Sequence, residues 1–201
     1  AAVVGNSFYN FDLEHWGFKR DGEETWGSYF SRMRKHPAWR TKNSVVWDVS
    51  VQGAREMNSL CIANPNIYYF SYVTSNTILD STSNRHVPNK NMSYIIRANA
   101  RLMGMKKAYY SDGSETDSTW FENDGIVNKK SMLGPTTGIN GSDPISNYRI
   151  NDILIPGQWY VMGEYKSDHR KFVGHSIRKE KFEELIKIYV EHLLLLWTLP
   201  K

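Results

Sequence analysis

The C-terminal segment of the chain constrains its fold most strongly. GQWYVMGEY, Gly157 to Tyr165, reads as a strand and delivers the chain to the polar stretch KSDHRKFVGH. SIRKEKFEELIKIYVEHLLLLWTL then reads as a helix, with Ser176 as a candidate cap and Phe182, Leu185, Ile186, Tyr189, Val190 and Leu193 on its apolar stripe. Strand, loop and helix in that order imply α/β architecture.

Upstream, Trp26, Tyr29, Phe30 and Met33 stand at helical spacing in ETWGSYFSRMRKH, within an aromatic-rich first forty residues. VSVQGAREMNSLCIAN suits a short helix with Ser50 as N-cap, a stripe of Ala54, Met57, Leu60 and Cys61, and Asn64-Pro65 as its end. IYYFSYV, Ile67 to Val73, follows as a strand. Residues 75–90 read as an irregular polar excursion, MSYIIRANARLMGM as a helix, and the Gly/Pro/Asn/Ser-rich stretch from Gly134 to Asn147 as surface loop.

Composition narrows the function. At 201 residues, 40% hydrophobic and 13% aromatic, the chain is one ordinary domain or a large piece of a bigger one, and it is not a disordered composition. The formal charge of +4 comes from basic residues interleaved with acidic ones, as in RDGEE and RKEKFEE, so it reads as solvated mixed-charge surface rather than a nucleic-acid face. One cysteine, Cys61, excludes an internal disulfide and a cysteine metal cluster, and leaves the compartment open. The stretch IYVEHLLLLWTL is too short to span a bilayer, and AAVVGNSFYNF does not read as a signal peptide. With no initiator Met, the expectation is a chain processed, truncated or incompletely read at its start.

Among the six histidines, His169 has the best context, following Asp168 in a polar loop after a predicted strand. Asp124, in WFENDGIVN, stands between Asn123 and Gly125, where a carboxylate either caps a turn or orients a histidine. Spacing alone leaves the two roles open. No H-E-x-x-H or H-x-H pattern marks a zinc site. Glu23-Glu24 and Glu183-Glu184 read as solvated helix surface, and no phosphate-binding glycine motif is present.

Five segments in order, FDLEHWGFKRDGEETWGSYFSRMRKHPAW, WDVSVQGAREMNSL, NPNIYYFSY, WFENDGIVN and the DH of KSDHRKFVG, resemble the C-terminal half of bacterial triacylglycerol lipases of the staphylococcal and Geobacillus type. The likeness runs over nearly the whole chain and implies the C-terminal half of an α/β-hydrolase fold. Residues 1–47 would derive from the helical cap and 48–201 from the core. In that family the triad order is Ser, Asp, His. The resemblance places its acid at Asp124 and its histidine at His169. No G-x-S-x-G occurs: GNSFY, GSYFS, DGSET and GHSIR each fail at a flanking glycine. The nucleophile and oxyanion donors of the family belong to the N-terminal half, so the expectation is that these 201 residues alone do not hydrolyse esters.

The metals of the family also depart here. Its calcium site uses acidic residues shortly after the histidine, and the matching positions are Lys171 and approximately Ser176. Lys171 puts positive charge where a hard cation needs oxygen ligands. Asn43 stands where the family has a zinc-binding Asp. Neither calcium nor zinc is therefore expected. Two functional readings follow: the Asp- and His-bearing portion of a lipase-like carboxylic ester hydrolase, or an inactive lipase-derived accessory subunit of a larger assembly. Either needs a partner over the open sheet edge, the N-terminal lipase half or another protein. The resemblance implies an extracellular location.

Overall fold

The computed structural model describes residues 17–37, 41–42, 45–137, 141–175 and 177–200. The chain divides into two compact units at Gly53/Ala54. In the first unit, helix α1 (Trp26–Arg34) starts at Thr25, whose hydroxyl accepts from the Ser28 N–H. Of its four apolar positions, Tyr29 and Met33 are buried and Trp26 and Phe30 are exposed. Arg32 grips both Glu24 carboxylate oxygens, at 2.9 and 2.7 Å, and the Gly17 and Lys19 carbonyls, closing the incoming loop on the helix. Of the other aromatics in the first forty residues, Phe8, Tyr9, Phe11, Trp16 and Trp39 lie outside the described residues.

Helix α2 (Val45–Asp48) leads into α3 (Val51–Leu60). Ser50 is its cap: the hydroxyl accepts from the Gly53 N–H at 2.9 Å and donates to the Trp47 carbonyl at 2.7 Å. The expected stripe is not core, since Met57, Leu60 and Cys61 are exposed. Helical periodicity produces a stripe whether or not anything packs on it.

The second unit is built on a parallel three-stranded sheet of order β1-β5-β4. Strand β1 (Tyr69–Thr74) runs beside β5 (Trp159–Tyr165) from Tyr69↔Trp159 to Thr74↔Tyr165. Strand β4 (Ile145–Asn147) borders the other edge of β5. Central β5 buries Tyr160 and Val161, as a strand covered on both faces must. The long connections between these strands are what parallel pairing requires. Within them, residues 75–90 are not irregular: β2 (Thr77–Asp80) and β3 (Arg85–Pro88) form an antiparallel hairpin. The polar sequence correctly marked only its tip, where Asp80 accepts from the Ser83 hydroxyl and the Thr82 N–H. Strand β4 likewise lies inside the stretch read as loop.

After the hairpin, a 3-10 turn (Tyr94–Ile96) precedes α4 (Arg97–Met103), and Met92, Ile96 and Ala100 form a buried cluster. A second 3-10 turn (Ser118–Trp120) and the one-turn α5 (Lys129–Met132) flank the Asp124 segment. The polar stretch after β5 is also more ordered than expected, since it contains the one-turn helix α6 (His169–Phe172). Helix α7 (Lys179–Thr198) closes the unit, and Ser176 lies outside the described residues. His192 of α7 stands edge-on to Phe70 and Tyr72 of β1, and the Tyr189 hydroxyl donates to the Phe172 carbonyl. Of the expected stripe on α7, Leu185 alone is fully buried.

Candidate active site

Asp124 is completely buried, and its two carboxylate oxygens have separate duties. Oδ1 accepts from the backbone N–H groups of Ile126 and Val127, at 2.9 and 2.8 Å, while the Asp124 N–H donates to the Val127 carbonyl. The carboxylate thus caps its own tight turn. Gly125 enters that turn with φ of +98°, a conformation that glycine takes without strain. Asn123 locks the turn from the other side: its amide donates to the Ala100 and Phe121 carbonyls and its oxygen accepts from the Gly125 N–H.

Oδ2 faces the other way. It accepts from the Thr74 hydroxyl at 2.7 Å and lies 2.9 Å from His169 Nδ1. Next to a carboxylate, Nδ1 carries the proton and donates it. The His169 N–H also donates to the Asp124 carbonyl, at 3.1 Å, so backbone and side chain both join the two residues. One oxygen thus caps the turn and the other faces His169.

His169 opens helix α6 directly after Asp168, the N-cap whose carboxylate accepts from the Lys171 N–H. Phe172 at the other end of α6 packs with Tyr165 at 5.2 Å and Tyr72 at 5.9 Å, anchoring the turn to β5 and β1. Thr74 ends β1 and His169 follows the end of β5. The pair thus sits at the carboxyl ends of neighbouring parallel strands, where α/β sheets place their ligands. His169 keeps 40% of its side chain exposed against none of Asp124. An imidazole held at Nδ1 by a buried carboxylate presents Nε2 to take a proton from a hydroxyl, and the carboxylate stabilises the imidazolium so formed.

Asp168, which the sequence offered only as a neighbour of His169, is as buried as Asp124. It accepts from the Ser93 N–H at 2.9 Å and from the Ser93 hydroxyl, and the Lys171 ammonium lies 3.3 Å from its Oδ2. The same ammonium donates to the Asn91 carbonyl. A bound calcium does not fit beside them, because a resident cation already faces these oxygens. Among the described residues, no group of three or more His, Cys, Asp or Glu side chains could hold a metal. Asn43 and Ser176 lie outside the described residues.

Sequence reasoning missed Thr74 and Ser93. Their partners stand 50 and 75 residues away along the chain, and neither lies in a spacing pattern that would reveal it. Asp168 did carry a local signal, an Asp at a helix start.

A parallel sheet with a buried carboxylate and a half-exposed histidine near its carboxyl ends fits the C-terminal half of an α/β-hydrolase fold. The chain belongs to the lipase-like, C-terminal domain family, whose profile it matches over residues 2–195. It is 28% identical over 183 residues to the lipase of Staphylococcus hyicus, covering 90% of this chain and 26% of that protein. Lipase 1 of Staphylococcus aureus is 28% identical over 174 residues, 85% of this chain and 23% of that one. Among solved structures, EstA from Clostridium botulinum matches with a TM-score of 0.68 at 29% identity over 91% of this chain and 45% of that one. The S. hyicus lipase structure matches with a TM-score of 0.69 at 25% identity, over 97% of this chain and 47% of that one. The chain thus spans about a quarter of these curated relatives and just under half of these solved chains. Among the described residues no helix is long and apolar enough to cross a membrane.

Proposed function

We propose that this chain supplies the acid and the general base of a lipase-like serine carboxylic ester hydrolase. The observation that carries the reading is the 2.9 Å contact between buried Asp124 Oδ2 and His169 Nδ1. His169 Nε2 takes the proton of a serine hydroxyl as that oxygen attacks the ester carbonyl, then returns it to the leaving alcohol. Asp124 fixes the ring and its tautomer. The serine and the oxyanion-hole donors come from an N-terminal lipase half carrying G-x-S-x-G, which is also the partner that continues the sheet. Among the described residues no strand pairs with the outer edge of β1. The substrate class is the neutral carboxylic ester, with triacylglycerols as its natural form.

The test is made on this chain together with a nucleophile-bearing half, joined to it in one polypeptide or supplied as a separate chain; that assembly is the complete polypeptide of the experiments below. Hydrolysis of p-nitrophenyl butyrate and labelling of the serine by a fluorophosphonate are measured for the parent and for His169→Ala. The expected result is an active, labelled parent and loss of both signals in the variant. An active parent unaffected by His169→Ala would refute the assignment. A stable complex with other proteins, without label or turnover, would favour the accessory-subunit reading.

A further inference from the structure

The segment 91–100 touches the chain neighbours of both members of the Asp124–His169 pair. At its start, the Asn91 carbonyl and Ser93 hold Lys171 and Asp168, the residues that frame helix α6. Further along, Asn99 donates to the Gly125 carbonyl at 2.6 Å, and the Ala100 carbonyl accepts from Asn123. One stretch of chain therefore sets the position of the Asp124 turn and of the His169 helix together. Its attachment to the second depends on charge. The buried Asp168 carboxylate lies beside the Lys171 ammonium, and that ammonium reaches across to the Asn91 carbonyl, 80 residues away along the chain.

A one-turn helix has little stability of its own, so its direction is set by what ties its ends. The Phe172 end is tied by aromatic packing, and the His169 end by Asp168 and Lys171. Without the ammonium, Asp168 would be a buried carboxylate with only Ser93 and the Lys171 N–H to balance it, and the Asn91 carbonyl would lose this donor.

We propose that Lys171 is a positioning residue for His169: its ammonium joins the Asp168 carboxylate to the Asn91 carbonyl and so fixes the start of helix α6. The rate-based part of this inference rests on the function proposed above; the structural part does not. A covalently tethered cation cannot be stripped by a chelator, so the Asp168 carboxylate needs no bound metal to balance it.

The complete polypeptide is compared with Lys171→Met and Lys171→Arg. Hydrogen exchange of the 168–174 backbone is expected to rise in Lys171→Met and to stay near the parent level in Lys171→Arg, which keeps a cation at this place. Misplacing the base lowers kcat by about 10²-fold with KM unchanged in the Met variant, and the Arg variant recovers most of it. Neither a calcium chelator nor millimolar calcium shifts the melting temperature or the rate of the parent. Unchanged exchange in Lys171→Met would overturn the proposal, as would raised exchange with full kcat, or a parent destabilised by the chelator. If no variant hydrolyses an ester, the proposed function fails, and the exchange and chelator measurements still decide the role of Lys171.

Discussion

Replacing Asp124 by Asn separates the two jobs of its carboxylate. The amide oxygen can stay at the Oδ1 position and keep the Ile126 and Val127 N–H groups satisfied, so the turn persists. At the Oδ2 position an NH2 group replaces an acceptor that now serves the Thr74 hydroxyl and His169 Nδ1. Facing a donor, the imidazole adopts the tautomer with its proton on Nε2, and that nitrogen can no longer accept one. A wrong-tautomer substitution of this kind in a serine-hydrolase triad costs about 10⁴ in kcat. That is about 5 kcal/mol of barrier at roughly 1.4 kcal/mol per decade. Stability changes much less, by about 0–2 kcal/mol, because the lost charge-assisted hydrogen bonds are offset by no longer burying an ion. Asp124→Ala, in contrast, leaves both turn N–H groups without their acceptor, at about 1–3 kcal/mol each. The assays are initial rates with p-nitrophenyl butyrate and urea unfolding of the complete polypeptide. If Asn retains more than about a tenth of kcat, far above the loss expected of an orienting acid, or destabilises as much as Ala, the division of labour between the oxygens is wrong.

Two further substitutions probe the frame around the pair. Gly125→Ala forces a side chain onto φ of +98° and puts Cβ 2.7 Å from Ile96 Cδ1, so it should cost about 2–5 kcal/mol in unfolding experiments. Adding Ile96→Val removes that Cδ1 while Cγ1 stays 3.0 Å away, and the double variant should be more stable than the sum of the singles requires; strict additivity would show that the Cδ1 contact is not the source of the cost. His192 is pushed below its ordinary value of 6.5 by burial, and its Nδ1 has no hydrogen-bond partner among the described residues. Below pH 6.5 the unfolded chain binds a proton that the folded chain resists, so stability falls as pH drops from 6.5 towards the folded value and is regained above it. His192→Phe should flatten that dependence in unfolding curves at pH 5.5 and 7.5, leaving the part due to His86, which burial lowers in the same direction; an unchanged slope would refute the assignment.

What was legible in the sequence was legible for local reasons. The strand, polar stretch and helix of residues 157–198 announce themselves by composition and period, and so does α1. Asp124 and His169 stood out because each lies in a short polar segment next to a turn or a strand end. The hairpin at 77–88 did not, because its strands are four residues each and carry polar side chains, with no alternation to separate two faces. Strand β4 is only three residues long and is held by its pairing with β5 rather than by its own propensity. Thr74, Ser93 and Asn91 act through partners far along the chain, and nothing local distinguishes them from any other Thr, Ser or Asn.

Among the described residues, the contacts that hold His169 are made within the second unit: Thr74 at the end of β1, the segment 91–100, the Asp124 turn and helix α6. None of them needs a residue from the proposed nucleophile-bearing half. Half of the acid's hold is local, since two of the four hydrogen bonds to its carboxylate come from N–H groups two and three residues on. Capping the turn fixes one oxygen, and the geometry of a planar carboxylate then aims the other at β1 and α6. The turn role that a sequence reader would take as the mundane alternative is thus the means by which the orienting role is achieved. In the hydrolase proposed above, the base would therefore reach the serine already aligned, and the join between the halves would have to position only the nucleophile.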